Sequence, residues 1–441
     1  MQLSLSMIVR NEAVRLERCL ASVADFVDEM VVLDTGSSDA TVAIAERCGA
    51  VVHHLDWPGD FAPARNAALD LVHGEWVLVL DADEQLLAEA RQQLRQLMAQ
   101  PELLVVNLLR LERGARQSPY SRVSRLFRRH PAIRWSRPYH AMIDDSVLAL
   151  LQREAHWRVA DCDIPAIDHA GYRPELLQAS DKAARLRRAM EADLERQPGN
   201  PYACAKLGSL LVSEGELERG RALLRLGLQN CGAEALAERY ELLLHLALAR
   251  SAGEPGRAID LYRQALALPL PPRLSLAARL NLAQLLLAAG DAPGAGALVE
   301  GACAAAPELA LVWFHRGVVE RQRGRLAEAI GAYRQAAALD PAAPDTQQNL
   351  AVCLLLGGDI AGARSGFSRA IALLHEQGRQ REAEALRRHY EASLEERGRI
   401  DLLASPTPEI GGIWESDEPP PRVFGVRRQW QPEKSSRAQK V

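Results

Sequence analysis

A chain of 441 residues, a quarter of them charged, is too long for one ordinary core and calls for two or three domains. Its net charge of −4 provides no global positive field, which argues against nucleic acid as a partner. Seven scattered cysteines without a C-x-x-C pair fit reduced thiols better than a disulfide framework or a zinc site. The N-terminus lacks the pattern of a leader and no apolar run reaches the ~18 residues of a membrane span, so a soluble cytoplasmic protein without a transmembrane segment is expected.

From Met1 to about Gly171, short apolar runs alternate with helical patterns. "LSLSMIV" (3–9) reads as a strand and precedes an amphipathic stretch over 12–24. "EMVVL" (29–33) precedes a helix over 39–49, and "AVVHHL" (50–55) leads to a helix over 61–74. "WVLVL" (76–80) has apolar side chains at every position, as a strand buried on both faces requires, and a helix from about Gln85 to Ala99 follows. Strands separated by helices at this spacing imply right-handed βαβ units and a parallel sheet. "LLVVNLLRL" (103–111), "SRVSRLFR" (121–128) and "IRWSRPYHAMI" (133–143) then read as strands without intervening helices, a mixed or antiparallel extension of that layer.

Beyond about Pro174 the strand signal stops and Ala, Leu and Arg dominate. Gly290, Gly324 and Gly358 recur at intervals of 34, as do Ala295, Ala329 and Ala363, with Tyr333 and Phe367 four residues after two of those alanines. Trp313 and Gly317 occupy early positions of their unit, and Pro307 and Pro341 close units. A 34-residue helix–turn–helix period with small residues where helices cross resembles the tetratricopeptide repeat. About five units are expected, near 201–234, 239–272, 276–309, 310–343 and 344–377, with a charged end-cap helix over 381–398. The tail from 399 to 441 has the composition of a disordered segment.

In open α/β sheets, ligands bind beyond the carboxyl ends of the strands. Arg10, Asn11 and Glu12 follow the first strand, Asp34 the second, and Asp81-Ala82-Asp83 the fourth, while Arg65 and Asn66 open the third helix. Each could merely cap the next helix, as Ser38 or Asp39 is placed to do. Four consecutive strands ending in charge instead build a polar ledge along one sheet edge.

"SMIVRNEAVRLERCL", "VVLDTGSSDAT", "ARNAAL" and "WVLVLDADE", in this order and spacing, resemble the family 2 glycosyltransferases of GT-A fold. The resemblance covers roughly residues 3–172 and is closest to bacterial members followed by tetratricopeptide repeats; "RLFRRHPAIRW" and "IDHAGY" are similar to later motifs of that group. It implies an α/β nucleotide-sugar transferase domain over 1–172, a linking helix over 173–200, and a repeat solenoid over 201–398. It also implies Mg²⁺ or Mn²⁺ as cofactor. Under it the acids of the D-x-D motif are tolerable because a dication and a diphosphate occupy that edge. Asp83 becomes the direct metal ligand, and Asp81 turns toward the ribose or a metal-bound water. Asp34 accepts from the nucleobase or ribose. Arg65 pairs with a phosphate or supports the Asp cluster, and Glu12 is a further nucleotide contact. His169 would give a metal or diphosphate contact, although a lone histidine is more often structural.

Such enzymes generally invert the anomeric centre, with a carboxylate removing the acceptor proton. The acid expected after "PYH" is Ala141 here; Asp144 and Asp145 could substitute, or could be solvated turn residues. Two readings follow. One is a transferase whose repeats hold an acceptor peptide, protein or glycan. The other is a repeat scaffold whose transferase domain binds nucleotide without turnover.

Overall fold

The computed structural model describes residues 2–115, 118–137, 141–170, 180–388 and 390. His140 of "PYH", Gly171 and Tyr172 of "IDHAGY", half of the end-cap helix and the tail therefore lie outside the described residues. The chain divides into two compact units, Met1–Leu207 and Gly208–Val441.

In the first unit an eight-stranded mixed sheet has the order β3-β2-β1-β4-β7-β6-β8-β5. β1 (Leu3–Val9), β2 (Glu29–Asp34), β3 (Val51–His54) and β4 (Trp76–Val79) pair in parallel, linked by α1 (Leu16–Ala21), α2 (Thr41–Arg47) and α3 (Phe61–Asp70). The chain runs from β1 outward to β3 and returns on the other side of β1 to β4. The topological switch point therefore lies between β1 and β4, where a crevice forms outside the strand ends.

β4 is buried at every residue. Trp76, Leu78 and Leu80 enter the core on one face and Val77 and Val79 the core on the other. The continuous apolar run follows from this central position, with both faces covered.

The remaining strands are β5 (Glu84–Leu86), β6 (Leu103–Glu112), β7 (Tyr120–Arg128) and β8 (Arg158–His169). β7 runs antiparallel to both β4 and β6, β8 lies parallel to β6, and β5 is antiparallel to β8. Three expectations need correction. The helix expected from Gln85 begins only at Arg91, as α4 (Arg91–Met98), because the chain first adds β5 and a 3₁₀ turn, Ala88–Ala90. The stretch 133–143 is no strand among its described residues, which offer one isolated bridge, Ser136 to Met142. Ile133, Trp135 and Ile143 instead pack as loop residues into the core, so their alternation reflects burial without a ladder. Asp144 and Asp145 begin a helix, α5 (Asp144–Arg153), rather than sitting in a turn.

After α6 (Ser180–Arg196) the helices pair as hairpins. Pro201–Ser213 precedes Leu217–Asn230, Leu236–Arg250 precedes Pro255–Leu266, and Leu276–Ala288 precedes Ala292–Ala305. Ala310–Gln322 with Leu326–Leu339, and Pro344–Leu356 with Ile360–Glu376, complete the described pairs. The turn glycines at 34-residue intervals, Gly290, Gly324 and Gly358, have φ of 85°, 74° and 85°, a region nearly closed to other residues. Ala295, Ala329 and Ala363 are fully buried, and Tyr333 and Phe367 fill the large positions. A Cβ on Gly317 would stand 2.6 Å from the Tyr333 ring, so the glycine is what admits the tyrosine between the two helices.

Candidate active site

The site begins with two loops at the carboxyl edge that bind each other. Asn11, at φ 55°, accepts from the Ser38 amide at 2.8 Å and donates its own amide to the Ser37 hydroxyl at 2.9 Å. The Glu12 amide donates to Thr41 Oγ1 at 2.8 Å. Thr41 in turn is held by Asp39, so the expected capping role of Asp39 takes the form of a bond to Thr41. Asp34 sits beneath this turn, 4% exposed, accepting from the amides of Gly36 and Ser37 at 3.1–3.2 Å. Burial opposes its ionisation, but the Ser37 hydroxyl and the two amides outweigh it and hold the carboxyl below its ordinary range. Exposed His54 stands 3.6 Å from the same carboxylate.

Asp81 and Asp83 emerge from β4 two residues apart and meet different partners. Asp81 accepts from Arg65 at 2.6 Å on one oxygen and from Arg125 at 3.0 Å on the other. Desolvation would raise its carboxyl; the two guanidiniums lower it far beyond that. Both arginines lie against Trp135, their guanidinium carbons 4.9 and 5.6 Å from the ring centroid, so cation–π contact replaces part of their lost hydration. Of the two roles weighed for Arg65, support of the acid is the one its contacts match. Arg125 and Trp135 are the first and last residues of "RLFRRHPAIRW", so that motif supplies one of the two arginines on Asp81 and the ring against which both lie.

Asp83 faces His169. Its Oδ2 lies 3.5 Å from His169 Nε2 and 3.6 Å from Arg15 Nη1, and Arg15 also pairs with Glu12 at 2.5 Å. The side chains of Asp83 and His169 are 22% and 16% exposed, which leaves both reachable. Strand register explains the meeting: His169 of β8 pairs with Glu84 of β5 on one side and Glu112 of β6 on the other. His169 Nδ1 lies 2.5 Å from Glu112 Oε2. Burial pushes the imidazole toward neutrality, but the Asp83 and Glu112 carboxylates prevail and raise it to about 9. Beneath lies Arg110, donating Nε to Glu112 at 2.8 Å and Nη1 to the fully buried Glu84 at 2.7 Å. Glu84 accepts the Asp81 amide at 2.9 Å.

The donor set suits a divalent cation. A carboxylate and an imidazole nitrogen converge, the nitrogen becoming a ligand once a cation displaces its Nε2 proton; Asp83 Oδ1 accepts no hydrogen bond from a described residue, whereas each Asp81 oxygen already faces an arginine. The carboxylate suits Mg²⁺ or Mn²⁺, while the imidazole nitrogen leans toward transition metals. Among the described residues, no group of three His, Cys, Asp or Glu side chains is arranged to hold a metal alone, so further ligands would have to come from a bound phosphate and water.

Asp144 and Asp145 stand apart from this network. Asp144 accepts from the Ser124 hydroxyl at 3.1 Å, and Ser124 directly precedes Arg125. Asp145 accepts from Ser136 at 2.5 Å and Arg137 at 3.0 Å; those bonds overcome desolvation and depress its carboxyl. The sequence reading missed Arg15, Arg110, Glu112 and Arg125. Arg110 and Glu112 carried a visible signal, two charges ending an apolar strand, the same sign that singled out Asp81.

Residues 4–160 match the family described as glycosyl transferase family 2, and residues 317–358 match the TPR repeat. A TPR repeat-containing protein of Synechococcus elongatus is 46% identical over 378 residues, which are 86% of this chain and 94% of that one. An uncharacterized glycosyltransferase of Rickettsia felis is 34% identical over 135 residues, 29% of this chain and 47% of that one. Among solved structures, MamA from Desulfovibrio magneticus aligns at a TM-score of 0.35 and 21% identity, over 40% of this chain and 97% of its own.

Proposed function

The chain belongs to the family 2 glycosyltransferases that carry tetratricopeptide repeats, and from that premise we propose that it moves a sugar from a nucleotide-diphosphate donor to an acceptor nucleophile. The observation that supports this most is the convergence of Asp83 and His169 Nε2 at 3.5 Å, at the carboxyl edge beside the switch point.

On this reading Asp83 and His169 hold Mn²⁺ or Mg²⁺. Such an ion, when bound there, would supply positive charge for the departing diphosphate. Asp81, fixed by Arg65 and Arg125, is directed at the ribose. The nucleoside lies toward Asp34, Glu12 and the turn that they brace. For an inverting displacement Asp144 is the better base of the two candidates, because Arg137 and Ser136 already stabilise the ionised form of Asp145 and so weaken its pull on a proton. The repeats bind the acceptor, a peptide, protein or glycan.

A panel of UDP-, GDP- and dTDP-sugars with Mn²⁺, scored for diphosphate release, tests the reading. One donor should turn over, and excess chelator should stop it. Asp144→Asn should keep donor affinity and lower transfer by ~10²–10⁴-fold. A chain cut after Gln197 should still hydrolyse donor but lose transfer to the natural acceptor. No turnover with any donor and acceptor would favour the scaffold reading, which the alanine at position 141 motivates.

A further inference from the structure

His169 can present either ring nitrogen, and only Nε2 faces Asp83. What fixes the ring is a buried chain of contacts running under the D-x-D turn. Glu112, 5% exposed, takes Nδ1 at 2.5 Å. Its other oxygen accepts from Arg110 Nε at 2.8 Å and from the Ser121 hydroxyl, so the carboxylate cannot swing away without unpairing a guanidinium. Arg110 also holds Glu84 through Nη1 at 2.7 Å, and Glu84 holds the Asp81 amide at 2.9 Å. One guanidinium thus anchors both the turn that carries Asp83 and the partner of His169.

Resting on the metal-assisted reading above, we propose that Glu112 and Arg110 are positioning residues that hold His169 with Nδ1 protonated and Nε2 directed at the cation site, at a spacing from Asp83 set by the Glu84–Arg110–Glu112 bridge. Neither residue touches the ion. Carboxylate partners of metal-binding histidines act in this way: they fix tautomer and ring orientation, and their loss costs ~10–100-fold in metal affinity. The planar fork matters too, because a lysine at 110 offers a point charge and cannot hold two carboxylates in one fixed geometry.

The test uses the full-length protein and two independent readouts. In metal-free protein labelled with ¹⁵N-histidine, the His169 ring, assigned by its loss in His169→Gln, should show a hydrogen-bonded Nδ1–H. That signal should vanish in Glu112→Ala and persist in Glu112→Gln, whose amide oxygen still accepts the proton. In titrations of Mn²⁺ followed by electron paramagnetic resonance with nucleoside diphosphate present, Glu112→Ala and Arg110→Lys should bind ~10–100-fold more weakly. Glu112→Gln should lie closer to wild type. An unchanged Nδ1–H signal in Glu112→Ala would overturn the positioning role, as would wild-type Mn²⁺ affinity in both Glu112→Ala and Arg110→Lys. Absence of Mn²⁺ binding in the wild type itself would instead remove the metal from the function. The ring-orientation half of the proposal would still be decided by the metal-free spectra.

Discussion

The two units bury polar groups in opposite ways. In the first, Asp34, Arg65, Glu84, Glu112 and Arg125 are all at most 9% exposed and gather at one end of one sheet. In the helical unit the buried charges among the described residues, Arg250 and Glu320, lie some seventy residues apart in sequence, and the helix interfaces are built from Ala, Gly, Leu and Val with single aromatics. Burying an ion pair costs desolvation that close pairing only roughly repays. A concentration of such pairs therefore marks a place kept for chemistry rather than for stability. The helical unit shows how the same chain packs its interior without such a cluster: small residues against rings and aliphatic side chains, repeated.

This contrast predicts where substitutions hurt and how. The largest effect is expected at Asp81. Asp81→Ala leaves two buried guanidiniums facing Trp135 without their carboxylate and should cost about 3–5 kcal/mol in the first unit, measured as a shift in its denaturation midpoint. Asp83 strands no such pair of guanidiniums, and His169 keeps Glu112 as a partner when it is lost, so Asp83→Ala should lower that midpoint by clearly less than Asp81→Ala. Equal destabilisation by the two would erase the distinction between an acid that neutralises two buried guanidiniums and one that does not.

His169 gives a smaller, pH-dependent effect. Its folded pKa of about 9 lies above the ordinary 6.5, so the folded state binds the proton more tightly than the unfolded chain. The resulting stabilisation is complete below about pH 6.5 and is lost as pH rises through about 9. It amounts to roughly 3 kcal/mol at 1.36 kcal/mol per pKa unit. Denaturant midpoints of metal-free protein should fall across that window in the wild type and stay flat in His169→Gln. A midpoint that rises across the window would contradict the ion-pair assignment.

The helical unit should respond to volume, not charge. Gly317→Ala drives a methyl to 2.6 Å from the Tyr333 ring and should destabilise by about 1–3 kcal/mol. Gly331, in the partner helix, has open space where a methyl would stand, with nothing within 4 Å. Gly331→Ala should therefore stabilise by about 0.5–1 kcal/mol through lost backbone freedom in the unfolded chain. Neither should change donor hydrolysis. If both shift stability in the same direction, the 34-residue packing pattern is not what holds this unit.

The helical unit was largely legible in the sequence because its repeat period writes each packing position several times; Ala295, Ala329 and Ala363 are one position seen three times. The parallel half of the sheet was legible for a similar reason, since apolar runs and helix patterns alternate there. The site was legible only in part. Asp34, Asp81 and Asp83 announce themselves by following apolar strands, but their partners come from β6, β7 and β8, brought in by antiparallel pairing whose register no local pattern specifies. Glu112 becomes a partner of His169 through a pairing 57 residues apart. The stretch over 133–143 misled because Ile133 and Trp135, among its described residues, alternate like a strand while packing into a core from irregular backbone. Asp144 and Asp145 resembled turn residues because acids suit both turns and the first turn of a helix.

The central claim is that Asp83, with His169, makes a cation-dependent site for a nucleoside diphosphate. Calorimetric titration of UDP, GDP and dTDP into wild-type protein and Asp83→Ala, each with Mn²⁺ and with excess chelator, tests it most directly. The account predicts that one nucleotide binds wild type only when Mn²⁺ is present and that Asp83→Ala loses this binding while remaining folded. Binding of the same strength in chelator, or in Asp83→Ala with Mn²⁺, would contradict it.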